Sequence, residues 1–232
     1  MIEIQNLAKI FGNHTALNIQ SLTIQTGECF GLVGNNGAGK TTLFRCLLDL
    51  IEPSTGQVLF NNQKVAQSEH WKAYTGSYLE SNFLIPFLTP KEYFQFVANV
   101  YGLDKPLFEK RLESYVPLLT EETVTSKKYL RDLSMGNQHK VGIVAALLIQ
   151  PQILILDEPF ANLDPSSQMR LKKILIEVRD SANTTILISS HDLNYVYEIC
   201  KRIVILENGA VIQDINPLES SLEDLEKYFS IE

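Results

Sequence analysis

The residues Gly34-Asn35-Asn36-Gly37-Ala38-Gly39-Lys40-Thr41 fit the pattern G-x-x-x-x-G-K-[ST]. That pattern suits polyphosphate chemistry. Glycines let successive backbone N–H groups turn inward around phosphate oxygens, and a following helix adds the positive end of its dipole. Lys40 is then expected to reach the β- and γ-phosphates, and the Thr41 hydroxyl to ligate Mg²⁺. A second pair, Asp157-Glu158, closes the apolar run Ile153-Leu154-Ile155-Leu156. Carboxylates at the C-terminal end of a buried strand lie where α/β proteins keep their ligand sites. Asp157 is suited to holding Mg²⁺, directly or through water. Glu158 is suited to orienting or deprotonating a water that attacks a γ-phosphate.

These groups need a scaffold, and the chain supplies its pattern. Cys29 to Val33 is a short apolar run that ends in the Gly-rich loop, and Thr41 to Leu50 reads as the helix after it. Ile2 to Ile4, Leu17 to Ile24, Val58 to Phe60 and Gly76 to Leu79 read as strands. Lys91 to Tyr101 and Leu107 to Leu119 carry helical spacing, with Pro90 and Pro106 near their starts. Gly136 to Ile149 is a further helix, stopped by Pro151. Ile153 to Leu156 is apolar throughout, as in a parallel strand covered on both faces. Pro165 to Ser181 reads as a helix capped by Asp164. Thr185 to Ser189 reads as a strand and Leu193 to Cys200 as a helix. Ile203 to Asp214 reads as a hairpin turning at Asn208-Gly209, and Ser221 to Phe229 as a last short helix. Strands alternating with helices imply an α/β fold with a mainly parallel sheet.

Composition bounds the class. The chain has 232 residues, 45% hydrophobic and 20% charged, which suits one globular domain. A net charge of −7 gives no general attraction to nucleic acid or anionic lipid, and no nucleic-acid partner is expected. The three scattered cysteines lie in apolar segments without metal spacing, pointing to buried thiols in a reducing compartment. Met1 to Ile4 lacks the basic head and long apolar run of a signal peptide. The longest uncharged run, Val141 to Leu156, is broken at Gln150-Pro151-Gln152 and is too short to span a bilayer.

Four more segments complete a pattern. Leu133-Ser134-Met135-Gly136-Asn137-Gln138 precedes the Asp-Glu pair, and Ala161-Asn162-Leu163-Asp164-Pro165 follows it. Ser190-His191-Asp192 comes just after the next strand, and Phe11-Gly12 precedes the phosphate loop. Together with the loop (Walker A) and the carboxylate pair (Walker B), these make nearly the whole chain resemble an ATP-binding-cassette ATPase, the motor subunit of ABC transporters. The resemblance implies a P-loop NTPase core with a mainly parallel sheet, an N-terminal antiparallel β part and a helical signature subdomain. All of residues 1–232 form one cassette domain, with the helical subdomain at about 82–138.

It also implies roles. ATP-Mg²⁺ is held by Gly34 to Thr41, by Thr42 and by Asp157, with the adenine on the ring of Phe11. Glu158 and His191 act on the water. Ser134, Gly136 and Asn137 are similar to the LSGGQ signature that one cassette offers to the γ-phosphate held by a second. Hydrolysis in a head-to-tail pair then moves the helical subdomain against a separate transmembrane subunit. The protein is expected in the cytoplasm, peripheral on the inner face of the cell membrane.

There are departures. Met135 replaces a signature glycine, and Asn137 its glutamine. The family's Mg²⁺-contacting Gln falls at Glu80 or at Ser81. The arginine many relatives carry after the signature is missing from Val141 to Ala146. The apolar run Phe83 to Leu88 is either a partner-docking edge or internal packing. The tail Leu222 to Phe229 resembles that of cassettes paired with exporter-type partners. The other function class is a soluble ABC-type ATPase of translation, DNA repair or cofactor assembly. Those usually carry two cassettes or a long coiled coil, neither of which is seen in this sequence.

Overall fold

A computed structural model describes residues 1–181, 183–217 and 219. The N-terminal third runs β1 (Ile2–Phe11), β2 (His14–Ile24), β3 (Cys29–Val33), α1 (Lys40–Leu47), β4 (Thr55–Phe60), β5 (Gln63–Lys64) and β6 (Thr75–Tyr78). Helices follow: α2 (Pro90–Val100), α3 (Lys105–Glu113), α4 (Val116–Leu119), α5 (Glu121–Val124) and α6 (Met135–Leu148). The last part runs β7 (Ile153–Leu156), α7 (Pro165–Ser181), β8 (Thr185–Ser190), α8 (Leu193–Ile199), β9 (Arg202–Glu207) and β10 (Ala210–Ile215).

Two sheets form. One has the order β2-β1-β4-β5 and is antiparallel throughout; the other has the order β10-β9-β3-β8-β7-β6. In the second, β3 pairs parallel with both β8 and β9, and β7 with β6 and β8; β10 alone runs antiparallel. The central strands are buried on both faces and their side chains alternate between two cores. Ile153, Ile155 and Leu187 pack with Phe30, Leu32, α1 and the antiparallel sheet. Leu154, Leu156, Ile186 and Ile188 pack instead with α2 to α4 and α6 to α8. The sheet thus divides a nucleotide-loop side from a helical side, and the loops at its C-terminal edge lie between them.

β3 and β7 have the bounds their apolar runs predict. The N-terminal strands are longer than expected, because their polar outer faces belong to a sheet that is solvated on one side. Leu107 to Leu119 is not one helix. It breaks after Glu113 and restarts at Val116, since Pro117 has no N–H to continue the ladder. Capping fixes several other starts. Thr89 and Glu92 form a reciprocal capping box on α2. Asp164 accepts from the Ser167 N–H and from the hydroxyls of Ser166 and Ser167, which holds its carboxyl well below the usual range. All three cysteines are free and buried. The helix expected over Ser221 to Phe229, and with it the exporter-like tail, lies outside the described residues.

Candidate active site

The phosphate loop joins β3 to α1. Gly39 takes the N-cap position of α1 with φ 107°, and a Cβ there would lie 2.6 Å from the Ala16 carbonyl oxygen. Only glycine satisfies both constraints. Ala38 is buried while Asn35, Asn36 and Gly37 are exposed at the rim. Lys40 is 6% exposed, and its ammonium donates to the carbonyls of Gly34 (2.6 Å) and Asn35 (3.3 Å). Its charge is met by Glu158 Oε1 at 3.3 Å. A buried cation at the head of such a loop is suited to pairing with a phosphate anion.

The carboxylate pair sits where β7 ends. Asp157 is 4% exposed; its Oδ2 accepts from the Thr41 hydroxyl at 2.5 Å and its Oδ1 from the Ser189 hydroxyl. Burial raises its pKa, and the two hydroxyls oppose that shift. A buried carboxylate beside a hydroxyl at the mouth of a phosphate loop is a hard-oxygen donor pair, which fits a small divalent cation that takes its other ligands from phosphate and water. Among the described residues no cluster of three or more His, Cys, Asp or Glu competes with it.

Glu158 adopts a left-handed backbone with φ 47°. Its N–H donates to Ser189 Oγ at 2.8 Å. His191 Nδ1–H donates to Glu158 Oε2 at 2.8 Å, and the His191 backbone N–H reaches the same oxygen at 3.3 Å. Lys40, Thr41, Asp157, Glu158 and His191 are therefore one connected cluster, contributed by the loops after β3, β7 and β8.

Other expected residues lie apart. Phe11 is 50% exposed at the β1–β2 turn, with the Lys9 ammonium over its ring at 4.9 Å. Thr42 follows Thr41 in α1, half-buried. Ser134 caps α6 by accepting from the Asn137 N–H. Among the described residues no hydrogen bond or ion pair joins Ser134, Gly136 or Asn137 to the Lys40–Glu158 cluster. A Cβ on Gly136 would lie 2.6 Å from the Asn162 carbonyl oxygen, so the signature packs directly on the segment after the carboxylates. Glu80, expected as a metal ligand, is instead paired with Arg45 at 2.6 Å and takes a weaker bond from Asn82 at 3.3 Å. Ser81 opens the 3₁₀ turn Ser81–Phe83. The Arg45 partnership had no signal in the sequence, because the two residues come from separate elements. Ser189, near the end of β8, touches both carboxylate residues, and nothing local in the sequence marks it.

Comparison with known proteins agrees with this geometry. The family model described as ABC transporter matches residues 17–161. A methionine import ATP-binding protein of Bacillus cereus is 34% identical over 223 residues, covering 92% of this chain but 64% of that protein. The chain therefore spans less than two thirds of that relative's length. The solved structure of an ATP-binding subunit of an ABC transporter superposes with a TM-score of 0.84 at 29% identity, over 100% of this chain and 94% of the other. A dimeric bacterial ABC transporter cassette gives a TM-score of 0.84 at 25% identity, over 94% and 99% of the two chains. Sequence, fold and site geometry agree: this chain belongs to the ABC transporter family, as one of its ATP-binding cassettes.

Proposed function

We propose that the protein is the ATP-hydrolysing motor of an ABC transporter, working as a pair of cassettes on a separate transmembrane subunit. The observation that carries this reading is the convergence of Lys40, Thr41, Asp157, Glu158 and His191 on one sheet edge. Thr41 and Asp157 would hold Mg²⁺, which when bound neutralises charge on the phosphate oxygens. Lys40 exchanges its loop carbonyls and Glu158 for the β- and γ-phosphates. That exchange frees Glu158 Oε1, while His191 keeps Oε2 fixed. Oε1 is then positioned to accept the proton of the attacking water. Glu80 is paired with Arg45 through Oε1, and Thr41 and Asp157 are the primary ligands in this reading.

Ser134, Gly136 and Asn137 stand apart from the cluster of their own chain. This supports a role toward the nucleotide of a second cassette, with the free N–H groups at the start of α6 meeting its γ-phosphate. Docking falls to an apolar cavity of about 370 Å³ between β6, α2 and α6. Leu48, Trp71, Tyr78, Leu84, Tyr93 and Val97 are among its lining residues. Gly142, Ala145 and Ala146 line it too, so the α6 wall of the cavity is built of small residues. The Phe83–Leu88 run divides: Leu84 is buried, while Phe83 and Phe87 are 51% and 62% exposed, and of these three Phe83 and Leu84 line the cavity. An apolar opening with exposed aromatics suits a helix of a transmembrane subunit. No described helix is long and apolar enough to cross a membrane. In this reading the protein works on the cytoplasmic face of a separate membrane subunit.

Phosphate release from ATP-Mg²⁺ tests the enzymatic part, with ATP-dependent dimerisation followed by light scattering. Purification from native membranes in mild detergent, with mass spectrometry, tests the partner. A polytopic membrane protein in near-equal amount is expected. Only soluble companions would overturn the transport reading and leave the ATPase.

A further inference from the structure

His139 lies one turn into α6, 6% exposed, and belongs to none of the roles above. Both of its ring nitrogens are engaged. Nε2 is 3.1 Å from the carbonyl oxygen of Pro159, and Nδ1 is 3.2 Å from the Tyr78 hydroxyl. A carbonyl can only accept, so Nε2 carries the proton; Nδ1 then accepts from Tyr78. The Tyr78 ring meets the imidazole edge-on at 4.8 Å and 89°. Burial pushes the Tyr78 hydroxyl up and the His139 pKa down, so both groups stay neutral in these roles.

What this contact holds is the turn that carries Glu158. Glu158 is left-handed at φ 47°, a conformation that persists in a non-glycine residue only when its surroundings fix it. On one side its N–H is fixed by Ser189. Its own carbonyl accepts from the Ala161 N–H at 3.1 Å. On the other side the next residue, Pro159, has no N–H to give, and its carbonyl is held by His139. From these contacts we infer that His139 is a positioning residue for Glu158, through which the signature helix of a cassette sets the backbone of its own general base. Tyr78, the last residue of β6 and two before Glu80, joins that strand's end to the same ring. A rotation of α6 that carries His139 away from Pro159 releases the turn, and a rotation that seats it restores it. The signature helix thus acts on two sites: its N-terminal end on a second cassette's nucleotide, and its first turn on its own Glu158.

The inference rests on the reading of Glu158 as base, and the test keeps the two apart. In the full-length protein, His139→Leu removes both hydrogen bonds and keeps an apolar side chain. His139→Gln keeps a donor for Pro159 and an acceptor for Tyr78. Steady-state ATP hydrolysis with Mg²⁺ is measured beside Glu158→Gln. The Leu variant is expected to lose kcat by about 10–100-fold with the KM for ATP within about twofold, the pattern of an interaction that matters in the transition state. The Gln variant recovers most of that loss. A folded Leu variant within about threefold of the parent kcat overturns the inference, as does a Gln variant no better than Leu. If the Leu variant fails to fold, His139→Asn replaces it: its amide is one methylene too short to span both partners, so activity equal to that of His139→Gln overturns the inference. Normal turnover in Glu158→Gln would overturn the base assignment instead, leaving the His139 comparison to be read by itself.

Discussion

Replacing Glu158 by Gln separates the two contacts of its carboxylate. In the nucleotide-free protein Oε1 balances Lys40 at 3.3 Å, a separation worth about 5 kcal/mol of attraction at an effective dielectric of 20. Glu158 is a quarter exposed, so screening and desolvation remove most of that. A net loss of about 1 kcal/mol is expected on neutralising it, which lowers Tm by about 2–4 °C in a domain of this size. With a non-hydrolysable ATP analogue and Mg²⁺ bound, the phosphates take over Lys40, and the variant recovers that loss. Its ligand-induced rise in Tm therefore exceeds the parent's by the same 2–4 °C. Turnover falls by about 10²–10⁴-fold, because the amide cannot take a proton from water, and the ATP-bound dimer accumulates. Thermal melts with and without the analogue, phosphate release and light scattering read the three effects. Equal melting shifts in parent and variant would refute the Lys40 exchange. Turnover within tenfold of the parent would refute the base.

Asp157→Asn is expected to raise the melting temperature of the nucleotide-free protein while abolishing hydrolysis. Burial raises the pKa of Asp157 and so makes its ionised form a cost to the fold at neutral pH; the melt of the variant against the parent checks this. For the same reason the parent's stability gains a contribution from Asp157 as pH falls through its raised folded pKa, and the variant lacks that contribution. His139 has the opposite sign. Its folded pKa is lowered, so the unfolded chain binds the extra proton first, and stability is lost as pH falls below the unfolded value of about 6.5. Melts from pH 7.5 to 5.5 should show a shallower decline for His139→Gln than for the parent. Gly136→Ala puts a methyl 2.6 Å from the Asn162 carbonyl, an overpacking that costs about 1–3 kcal/mol. It should weaken ATP-driven dimerisation while ATP binding by the monomer persists, as read by light scattering against a nucleotide-binding titration.

The central strands and the phosphate loop were legible because their signals are local. Ile153 to Leu156 is apolar at every position, and the loop's glycines occur where backbone geometry requires them. The contacts that complete the site are not local. Arg45 and Glu80 meet across 35 positions, His139 and Pro159 across 20, and Ser189 and Asp157 across 32. Serine, arginine and histidine at ordinary spacing carry no mark of such partners. The break at Ser114-Tyr115 was legible in principle from Pro117, but the apolar spacing from Leu107 to Leu119 continues through it and hides the missing N–H. The length of β1 and β2 was hidden for another reason. Their solvent faces are polar, so only the apolar-rich parts, Ile2 to Ile4 and Leu17 to Ile24, stand out as strand.

The sequence contains one tryptophan, Trp71, and the fold places it in the wall of the proposed docking cavity. Its ring is 5% exposed, stands edge-on to Phe60 at 5.7 Å, and donates to the Val65 carbonyl. With excitation selective for indole, intrinsic emission therefore comes from this single fluorophore. Entry of a partner helix would change the polarity and quenching around that indole, whereas nucleotide arriving at Lys40 meets no tryptophan. The protein thus carries its own optical probe of the docking side, readable without any label.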